Sequence, residues 1–338
     1  WDPASICKFL NDWGVPTVVE DGGCVFPASG RSGDVLDVLV RAACDAGAEI
    51  RCGVRVKRLL LDEAGHSVCG VETSTGEKIA SLRVILAAGG KCKPELGSDG
   101  SGLEIAQAVG LRVTPVFPSL GSLITEEKWI ASLAGLSCES ASIKIEEKGF
   151  GREPVCGSVM FTHKGLSGPA ALEISGEVAQ AIAARGGCVK LKFSCRSDWS
   201  LEDWFGCFES WRQSCGTRLV RKRLAEEIPK ALAEVFCKLA EVGEDVPVAH
   251  FNRSQTERLA ALCAACPLTV TATDGWDRAM ITRGGVALSE IDPDTMACRK
   301  IKGLFCVGEL VDLDAPCGGY NLTWALASGR LAAVSSIG

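Results

Sequence analysis

Two short apolar stretches that end in glycine lie far apart in this chain and constrain its fold. Residues 83–88 (Arg-Val-Ile-Leu-Ala-Ala) run directly into Gly89 and Gly90, and residues 304–307 (Leu-Phe-Cys-Val) run into Gly308. Continuous apolar runs of this length are typical of parallel strands that are buried on both faces. In open α/β sheets, ligands bind where such strands end, so both glycine ends are candidate ligand-binding positions.

The second stretch is followed by a loop and a helix with glycines at the junction. Residues 310–317 lead to Gly318 and Gly319, and a helix is predicted over residues 321–337. Glycines expose backbone N–H groups, and a helix N-terminus stabilises negative charge. Glu309 is a candidate acceptor for hydrogen bonds from ribose-type hydroxyls. A ligand-binding unit is therefore favoured over an ordinary capped helix.

The order of the predicted elements indicates two domains. Helix and strand patterns alternate over residues 1–115 and again over residues 276–338, whereas residues 116–275 carry strand-like pieces followed by several helices. We therefore predict an α/β domain built from two sequence segments and interrupted by an inserted α+β domain. A chain of 338 residues is long enough for two domains of ordinary size.

Charge and motif content exclude several classes of protein. The net charge of −6 argues against a nucleic-acid binder, which usually has a basic face. No apolar run is long enough for a membrane span, and no metal-ligand set is evident. The expected partner is therefore a small molecule rather than a nucleic acid, a membrane or a metal ion.

The 18 cysteines are scattered along the chain and mostly follow apolar positions. Free cysteine is a small core residue when reduced, and this distribution favours an intracellular reducing compartment over secretion. The expected location is the cytoplasm or an organelle interior, such as the plastid stroma or the mitochondrial matrix. The close pair Cys263 and Cys266 leaves a redox dithiol as the less favoured alternative.

One of the three histidines, His163, lies in a loop that enters a helix. The segment reads Phe-Thr-His-Lys-Gly-Leu-Ser-Gly-Pro over residues 161–169, and Ser167 and Pro169 are residues that favour helix starts. A lone histidine is more often structural than catalytic, and both roles stay open for His163.

Several segments together resemble one known family, the BaiN/YhiN-like flavoproteins, also described as the aminoacetone oxidase family of NAD(P)/FAD-dependent oxidoreductases. Residues 303–312 and 317–329 are similar to its C-terminal FAD motif, and residues 161–169 to its internal hallmark. The other similar segments, in the family's order, are 25–27 (Val-Phe-Pro), 86–90 (Leu-Ala-Ala-Gly-Gly), 282–286 (Thr-Arg-Gly-Gly-Val) and 290–296 (Glu-Ile-Asp-Pro-Asp-Thr-Met).

The resemblance implies a two-dinucleotide-binding-fold, Rossmann-like FAD domain interrupted by a substrate or cap domain. It implies electron transfer between a nicotinamide cofactor, NAD(P)H, and a small organic substrate or oxygen. The backbone near Val56 would lie by the adenine. The other implied FAD contacts are Ala88, Gly89, Gly90, Gly308, Glu309, Gly318, Gly319, Tyr320, Asn321 and Leu322. Weak candidates for a catalytic acid are Cys317, Tyr320 and His163.

Two departures from the family's pattern are present. The family begins with a strand, a G-x-G-x-x-G turn and a helix that seat the pyrophosphate, and residues 1–50 contain no such turn. We therefore expect this chain to begin downstream of that βαβ unit. In addition, Cys24 follows Gly23 where the family usually has an arginine.

Two functional hypotheses follow. The first is an FAD-dependent oxidoreductase. The alternative is a non-catalytic scaffold, derived from a flavoprotein, that belongs to a larger protein assembly. This pseudoenzyme hypothesis rests on the absent G-x-G-x-x-G turn, on Cys24, and on tryptophans such as Trp199, Trp204 and Trp211 being exposed for a protein partner. The helical spacing of these residues instead makes core positions the default, since Trp204 and Trp211 lie seven residues apart on one helix face.

Overall fold

The computed structural model describes residues 1–20, 23–151, 153–214 and 216–337, so the turn predicted at residues 21–23 lies partly outside it. Its helices are α1 Pro3–Asp12, α2 Ser32–Asp45, α3 Ser101–Ala108, α4 Pro169–Arg185, α5 Leu201–Ser214, α6 Val220–Leu224, α7 Lys230–Leu239, α8 Arg253–Ala265 and α9 Tyr320–Ile337.

The structure describes fifteen strands, two of which, at residues 84–86 and 304–306, are shorter than the apolar runs that predict them. The strands are β1 Thr17–Val19, β2 Val25–Pro27, β3 Val56–Leu61, β4 Val68–Thr73, β5 Lys78–Ala80, β6 Val84–Leu86, β7 Phe117–Ser119, β8 Leu123–Thr125, β9 Ser137–Ile145, β10 Val155–Phe161, β11 Gly165–Ser167, β12 Val189–Ser194, β13 Cys266–Thr273, β14 Ile281–Arg283 and β15 Leu304–Cys306.

The chain divides into two compact units. Unit 1 comprises Trp1–Val116 and Ile281–Gly338, and unit 2 comprises Phe117–Met280. The sequence predicts boundaries after residues 115 and 275, and the structure has them after Val116 and Met280. Unit 1 is therefore assembled from two sequence segments, and unit 2 is continuous.

The two apolar stretches that end in glycine pair with each other in unit 1. β6 and β15 run parallel, with Val84 opposite Leu304 and Leu86 opposite Cys306. The Val84 N–H donates to the Gly303 carbonyl at 2.8 Å. Gly303 has φ +82°, and a Cβ there would lie 2.3 Å from the Leu82 carbonyl oxygen, so only glycine allows the segments to approach this closely.

Smaller elements surround this pair. β3, β4 and β5 form an antiparallel sheet, and β1 and β2 form a hairpin. α1 begins where the Asp2 carboxylate accepts the Ser5 N–H at 2.8 Å, which is an N-cap interaction. The core of unit 1 is built from buried side chains of β3, β4, β6, α3, β15 and residues 286–311.

Unit 2 contains a closed barrel of six strands in the order β10, β11, β8, β13, β12 and β9. The strand pairs that are described within it are antiparallel. Closure leaves no free sheet edge in the barrel, because each of its strands has two neighbours. The predicted α+β insertion is therefore a barrel with packed helices.

Helix α4 packs against the strands of this barrel, and most of its buried side chains are small. The helix contacts all six barrel strands. Its buried residues are Ala170, Ala171, Ile174, Ser175, Gly176, Val178 and Ala181. The buried Ser175 hydroxyl accepts the Gly121 N–H at 3.0 Å and donates to the Leu172 carbonyl at 2.7 Å, so its polar atom is satisfied.

The expectation that the tryptophans of unit 2 are exposed is wrong for two of the three. Trp204 and Trp211 are 0% and 1% exposed, and Trp199 is half-buried against the same core. Trp204 and Trp211 lie seven residues apart on one face of α5, and that face packs inward. The Arg196 guanidinium covers the Trp199 ring at 4.0 Å. These rings therefore give no support to a protein-binding surface.

The described cysteines are free thiols. Burial raises the pKa of the Cys266 thiol to about 12, and burial and a hydrogen bond with Cys195 raise the pKa of Cys263 well above its usual value. A reactive dithiol needs a lowered pKa and access to solvent. The alternative of a redox pair at Cys263 and Cys266 is therefore not supported.

Replacement of Trp204 should measure the packing of unit 2. We expect Trp204→Ala to lower the free energy of unfolding by about 3–5 kcal/mol, because it leaves a large cavity. Trp204→Phe should cost less, since it keeps a ring and removes an indole N–H that has no acceptor. Urea unfolding followed by circular dichroism measures both. Equal costs for the two variants would contradict this packing.

Alkylation of the native protein should separate the cysteines by exposure. Iodoacetamide at neutral pH should label Cys44, Cys52 and Cys317, which are exposed, and leave Cys263 and Cys266 unmodified. Peptide mass spectrometry reads each site, and the same reaction in denaturant provides the fully labelled reference. Labelling of Cys263 and Cys266 as fast as Cys44 would restore the dithiol alternative.

Candidate functional site

The carboxyl ends of β6 and β15 meet at one edge of unit 1. The Val307 N–H donates to the Leu86 carbonyl at 3.1 Å, which continues the parallel ladder to the last residue of β6. The glycines that follow the two strands therefore leave the sheet at the same edge. This is the position at which open α/β sheets bind ligands.

The loop after β6 is pinned by Thr282, a residue that the sequence patterns did not single out as a site residue. The Thr282 hydroxyl oxygen accepts the N–H of Lys91 at 2.7 Å and of Cys92 at 3.2 Å. A Cβ on Gly90 would lie 2.2 Å from this oxygen and 2.6 Å from Glu309 Oε1. Gly90 is therefore required by packing within the protein.

Glu309 and Gly308 are held by the elements around them. The Glu309 carboxylate is half-buried and accepts the Thr282 N–H at 2.6 Å. The Gly308 N–H donates to the Ser328 hydroxyl, and the Gly308 carbonyl accepts the Trp324 indole N–H, each at 3.0 Å. Ser328 and Trp324 lie on α9, so these bonds fasten the end of β15 to that helix.

Asn321 fastens the loop that precedes α9 to the first turn of the helix. Its side-chain amide accepts the Ala315 N–H at 3.0 Å and donates to the Ala315 carbonyl at 2.9 Å, which closes the loop before the helix. Tyr320 and Leu322 are 62% and 72% exposed. No atom lies within 4 Å of a Cβ built on Gly319. The residues at the start of this 18-residue helix are therefore largely exposed, and a helix N-terminus attracts negative charge.

A groove of about 550 Å³ lies beside β6, within the size range of small-molecule sites. Residues 53–56 form one wall and residues 84–88 form another. The remaining lining residues are Val71, Gly97, Ser101 and Ile105. The groove lining is mixed, with more apolar than polar surface, and Arg55 is the only charged residue among the described residues that line it.

At one end of this groove Arg55 forms an ion pair with Asp99. The Arg55 guanidinium lies 2.7 Å from the Asp99 carboxylate, which also accepts the Ser101 N–H at 3.0 Å. The hydrogen bonds from Ser101, together with the one from Arg55, hold the pKa of Asp99 well below its usual range. Asp99 therefore stays charged and occupies the N-terminus of α3.

The predicted site residues fall into separate groups. Val56 and Ala88 line the groove. Gly89, Gly90, Gly308 and Glu309 follow the two paired strands, and Cys317, Gly318, Gly319, Tyr320, Asn321 and Leu322 surround the start of α9. His163 lies in unit 2, exposed at the turn between β10 and β11. Binding and catalytic roles for all of these residues stay predictions.

The residues that sequence patterns missed are those that position the site. Thr282 and Ser328 are 2% and 1% exposed, and each satisfies backbone N–H groups of the segments that follow the strands. Thr282 opens the Thr-Arg-Gly-Gly-Val segment that resembles the family motif. Nothing in the local sequence of Ser328 shows that it reaches back to Gly308.

None of the helices in the described residues combines the length and the apolar composition of a membrane span. The same part of the chain contains no group of three or more His, Cys, Asp or Glu side chains that could hold a metal ion.

Curated proteins match nearly the whole chain. The 3-dehydro-bile acid delta(4,6)-reductase of Clostridium scindens is 31% identical over 314 residues, which cover 92% of this chain and 75% of that protein. The ribosomal RNA dihydrouridine synthase of Escherichia coli is 28% identical over 297 residues, which cover 87% of this chain and 69% of that protein. That of Haemophilus influenzae is 27% identical over 306 residues, which cover 88% and 71%.

Among solved structures, an open conformation of a flavocytochrome c3 fumarate reductase gives a TM-score of 0.45 at 19% identity. The match covers 97% of this chain and 61% of that one, so this chain spans about three fifths of its length. The 3-ketosteroid-delta4-(5alpha)-dehydrogenase of Rhodococcus jostii RHA1 gives a TM-score of 0.42 at 16% identity, with 99% and 78% coverage.

A family profile, the HI0933-like protein Rossmann domain, matches residues 1–335. With the 31% identity to the bile-acid reductase, this match confirms the predicted resemblance and the Rossmann-like fold class. The chain therefore belongs to the HI0933-like Rossmann-domain family.

Proposed function

We propose that this protein is an FAD-dependent oxidoreductase that reduces a carbon–carbon double bond of an organic substrate, with NAD(P)H as the electron donor. The observation that carries the proposal is the geometry at the shared carboxyl edge of β6 and β15. There, Gly308 is hydrogen-bonded to α9, Glu309 is hydrogen-bonded to the Thr282 N–H, and Tyr320 and Leu322 in the first turn of α9 are exposed.

The printed names of the curated relatives support the reaction class. The names delta(4,6)-reductase and dihydrouridine synthase are both consistent with the addition of hydrogen across a double bond. The balanced reaction would take a hydride from NAD(P)H and a proton from solvent or a side chain, and would yield NAD(P)⁺ and the saturated product. The chemistry that FAD supplies when bound is the relay of that hydride.

The described residues fit the flavin end of FAD. Gly319 has open space around it, and the exposed Tyr320 and Leu322 offer surface to a planar ring. The helix N-terminus would stabilise negative charge that develops on the ring edge nearest to it. The Glu309 carboxylate, held by the Thr282 N–H, has a second oxygen with which it could accept hydrogen bonds from hydroxyl groups.

The described residues do not fit the pyrophosphate end of FAD. Pyrophosphate is usually bound at a helix N-terminus that follows a glycine-rich turn. The helix start beside the groove is that of α3, and the charged Asp99 carboxylate already accepts the Ser101 N–H there. A phosphate at that position would meet like charge, so the described residues alone build only half of the site.

A small organic substrate is proposed in preference to RNA. The net charge of −6 disfavours binding to a polyanion, although two of the curated relatives are named for ribosomal RNA. The proton donor is proposed among Tyr320 and Cys317, which lie at the start of α9, and His163.

The alternative hypothesis of a non-catalytic scaffold is no longer supported by Trp204 and Trp211, because both side chains are buried.

Equilibrium titration with FAD tests the proposal directly. We expect flavin fluorescence to change on binding, and the complex to oxidise NADH or NADPH when an enone is supplied as acceptor. An RNA that contains uridine is tested as an alternative acceptor under the same conditions. No flavin binding at any FAD concentration, together with no oxidation of either nicotinamide, would overturn the proposal.

Removal of the Asn321 amide should weaken flavin binding without unfolding the protein. Asn321→Ala loses both bonds to Ala315, so the loop before α9 loosens, and we expect the dissociation constant for FAD to rise by about tenfold. Ser336→Ala is the matched control, because it removes an exposed hydroxyl near the other end of α9. An equal effect of the two variants would contradict the assigned role of Asn321.

A further inference from the structure

Arg283 lies beside the candidate site and has no part in the proposed function so far. It directly follows Thr282, whose N–H lies 2.6 Å from the Glu309 carboxylate, so the backbone that carries Arg283 is fixed next to the segment that follows β15. Arg283 belongs to the Thr-Arg-Gly-Gly-Val segment that resembles the family motif. Its side chain is 33% exposed, which leaves it accessible to a ligand.

The two glycines that follow Arg283 hold its backbone in one position. A Cβ on Gly284 would lie 2.2 Å from the Pro115 carbonyl oxygen, and a Cβ on Gly285 would lie 2.6 Å from the Leu310 carbonyl oxygen. The chain is therefore packed closely against its neighbours immediately after Arg283. A side chain that must meet a ligand at a defined place requires a rigid base of this kind.

The Asp314 carboxylate holds the inner end of the Arg283 guanidinium. Arg283 Nε lies 3.3 Å from Asp314 Oδ1, and the Asp314 side chain is largely buried. Within the part of the chain that the structure describes, the two terminal nitrogens of Arg283 have no hydrogen-bond acceptor. A guanidinium presents its N–H donors as a rigid planar fork, so the outer side of this fork is available to an oxygen atom of a ligand.

Asp314 also connects Arg283 to the start of α9. Asp314 directly precedes Ala315, and the Ala315 backbone exchanges two hydrogen bonds with the Asn321 side chain, at 3.0 and 2.9 Å. Asn321 lies in the first turn of α9. The loop that fixes the helix start therefore also fixes the guanidinium of Arg283.

Lys91 is a second cation near this edge of unit 1, and it is the poorer candidate. Its backbone N–H is held by the Thr282 hydroxyl at 2.7 Å. Its side chain runs beside Gly100, where Lys91 Cγ would lie 3.5 Å from an added Cβ. Gly100 immediately precedes α3, so the Lys91 side chain packs near that helix rather than on the loop before α9.

Reduction of a double bond that is conjugated with a carbonyl places negative charge on an oxygen atom. The hydride from NAD(P)H adds to the β-carbon, and the π electrons move onto the carbonyl oxygen. A proton from solvent or a side chain then reaches the α-carbon, which restores the carbonyl and leaves NAD(P)⁺ and the saturated product. Donors that already face the oxygen lower the barrier, because they stabilise this charge as it develops.

We propose that Arg283 binds the carbonyl oxygen of the substrate and stabilises the negative charge that this oxygen acquires, with Asp314 as its positioning residue. This inference rests on the proposed function and names its substrate class, which is a carbon–carbon double bond conjugated with a carbonyl. The guanidinium stays protonated and can donate two parallel hydrogen bonds. Asp314 balances its charge, so the pair favours a carbonyl oxygen that becomes negative over a free inorganic anion.

The first experiment omits FAD and measures binding of p-nitrophenolate, a stable anion whose charged oxygen resembles that of an enolate. We expect the full chain to shift the phenolate absorbance band in a saturable way. Arg283→Gln should weaken this binding by about tenfold, since it removes a charged hydrogen-bond donor. Arg283→Lys keeps the charge without the fork, so we expect an intermediate affinity.

Arg31→Gln is the matched control for this binding experiment. Arg31 Nε lies 3.7 Å from Asp34 Oδ1, so the variant removes an arginine from a similar pair at the start of α2. We expect it to bind p-nitrophenolate as the wild type does.

Asp314→Asn tests the positioning role separately. We expect it to weaken p-nitrophenolate binding when Arg283 is present and to have no further effect in Arg283→Gln, because Asp314 acts through Arg283. An equal effect in both backgrounds would show that Asp314 only supports its loop, and would overturn the positioning role.

The second experiment adds FAD and NADH or NADPH and compares two electron acceptors. Cyclohexenone is the enone, and ferricyanide is an acceptor that has no carbonyl. We expect Arg283→Gln to lower the rate of enone reduction about a hundredfold. The rate of ferricyanide reduction and the dissociation constant for FAD should stay unchanged.

The inference would be overturned by any of three results. These are p-nitrophenolate binding that is absent or equal in wild type and Arg283→Gln, displacement of the phenolate by an equal concentration of inorganic phosphate, and an equal loss of enone and ferricyanide reduction in Arg283→Gln. Failure of the chain to bind FAD, with p-nitrophenolate binding that still depends on Arg283, would uphold the oxygen-binding role and overturn the proposed function instead.

Discussion

The parallel pairing of β6 with β15 is the interaction on which the rest of unit 1 depends. It joins residues 84–86 to residues 304–306, and the whole of unit 2 lies between them in the sequence. Closing so long a loop carries an entropic cost that rises only slowly with loop length, and unit 2 lowers this cost by folding as a compact body of its own. The ladder then aligns the carboxyl ends of the two strands. Thr282 bonds the loop that follows β6, and α9 bonds the end of β15, so both sets of contacts meet at these aligned ends.

Local signals in the sequence were enough to predict the two paired strands of unit 1 and the helix that follows the second of them. Apolar runs that end in glycine predicted β6 and β15, and the two-segment organisation follows from where they lie. The pattern could not show that Gly90 is required by Thr282 and Glu309, because that contact joins three distant segments. Nor could it show that Asp99 occupies the start of α3, since the pairing with Arg55 depends on the tertiary fold.

Unit 2 was harder to predict for the same reason. Its strands were recognisable one by one, but closure into a barrel depends on pairings such as β8 with β13, which are separated by more than a hundred residues. The expected exposure of Trp204 and Trp211 was a wrong inference from composition, whereas their seven-residue spacing on α5 correctly indicated a buried face. Periodicity was thus the better guide than residue type. In both units, side chains such as Thr282 and Ser175 satisfy backbone groups that no local pattern connects to them.

The central claim is that a cofactor binds where β6 and β15 end. Hydrogen exchange measured peptide by peptide, with and without FAD, tests it most directly. The account predicts added protection in peptides that span residues 86–92, 307–311 and 317–323, with little change across β9 and β12 of the barrel. Binding of FAD that protects only unit 2 and leaves those three segments unchanged would contradict it.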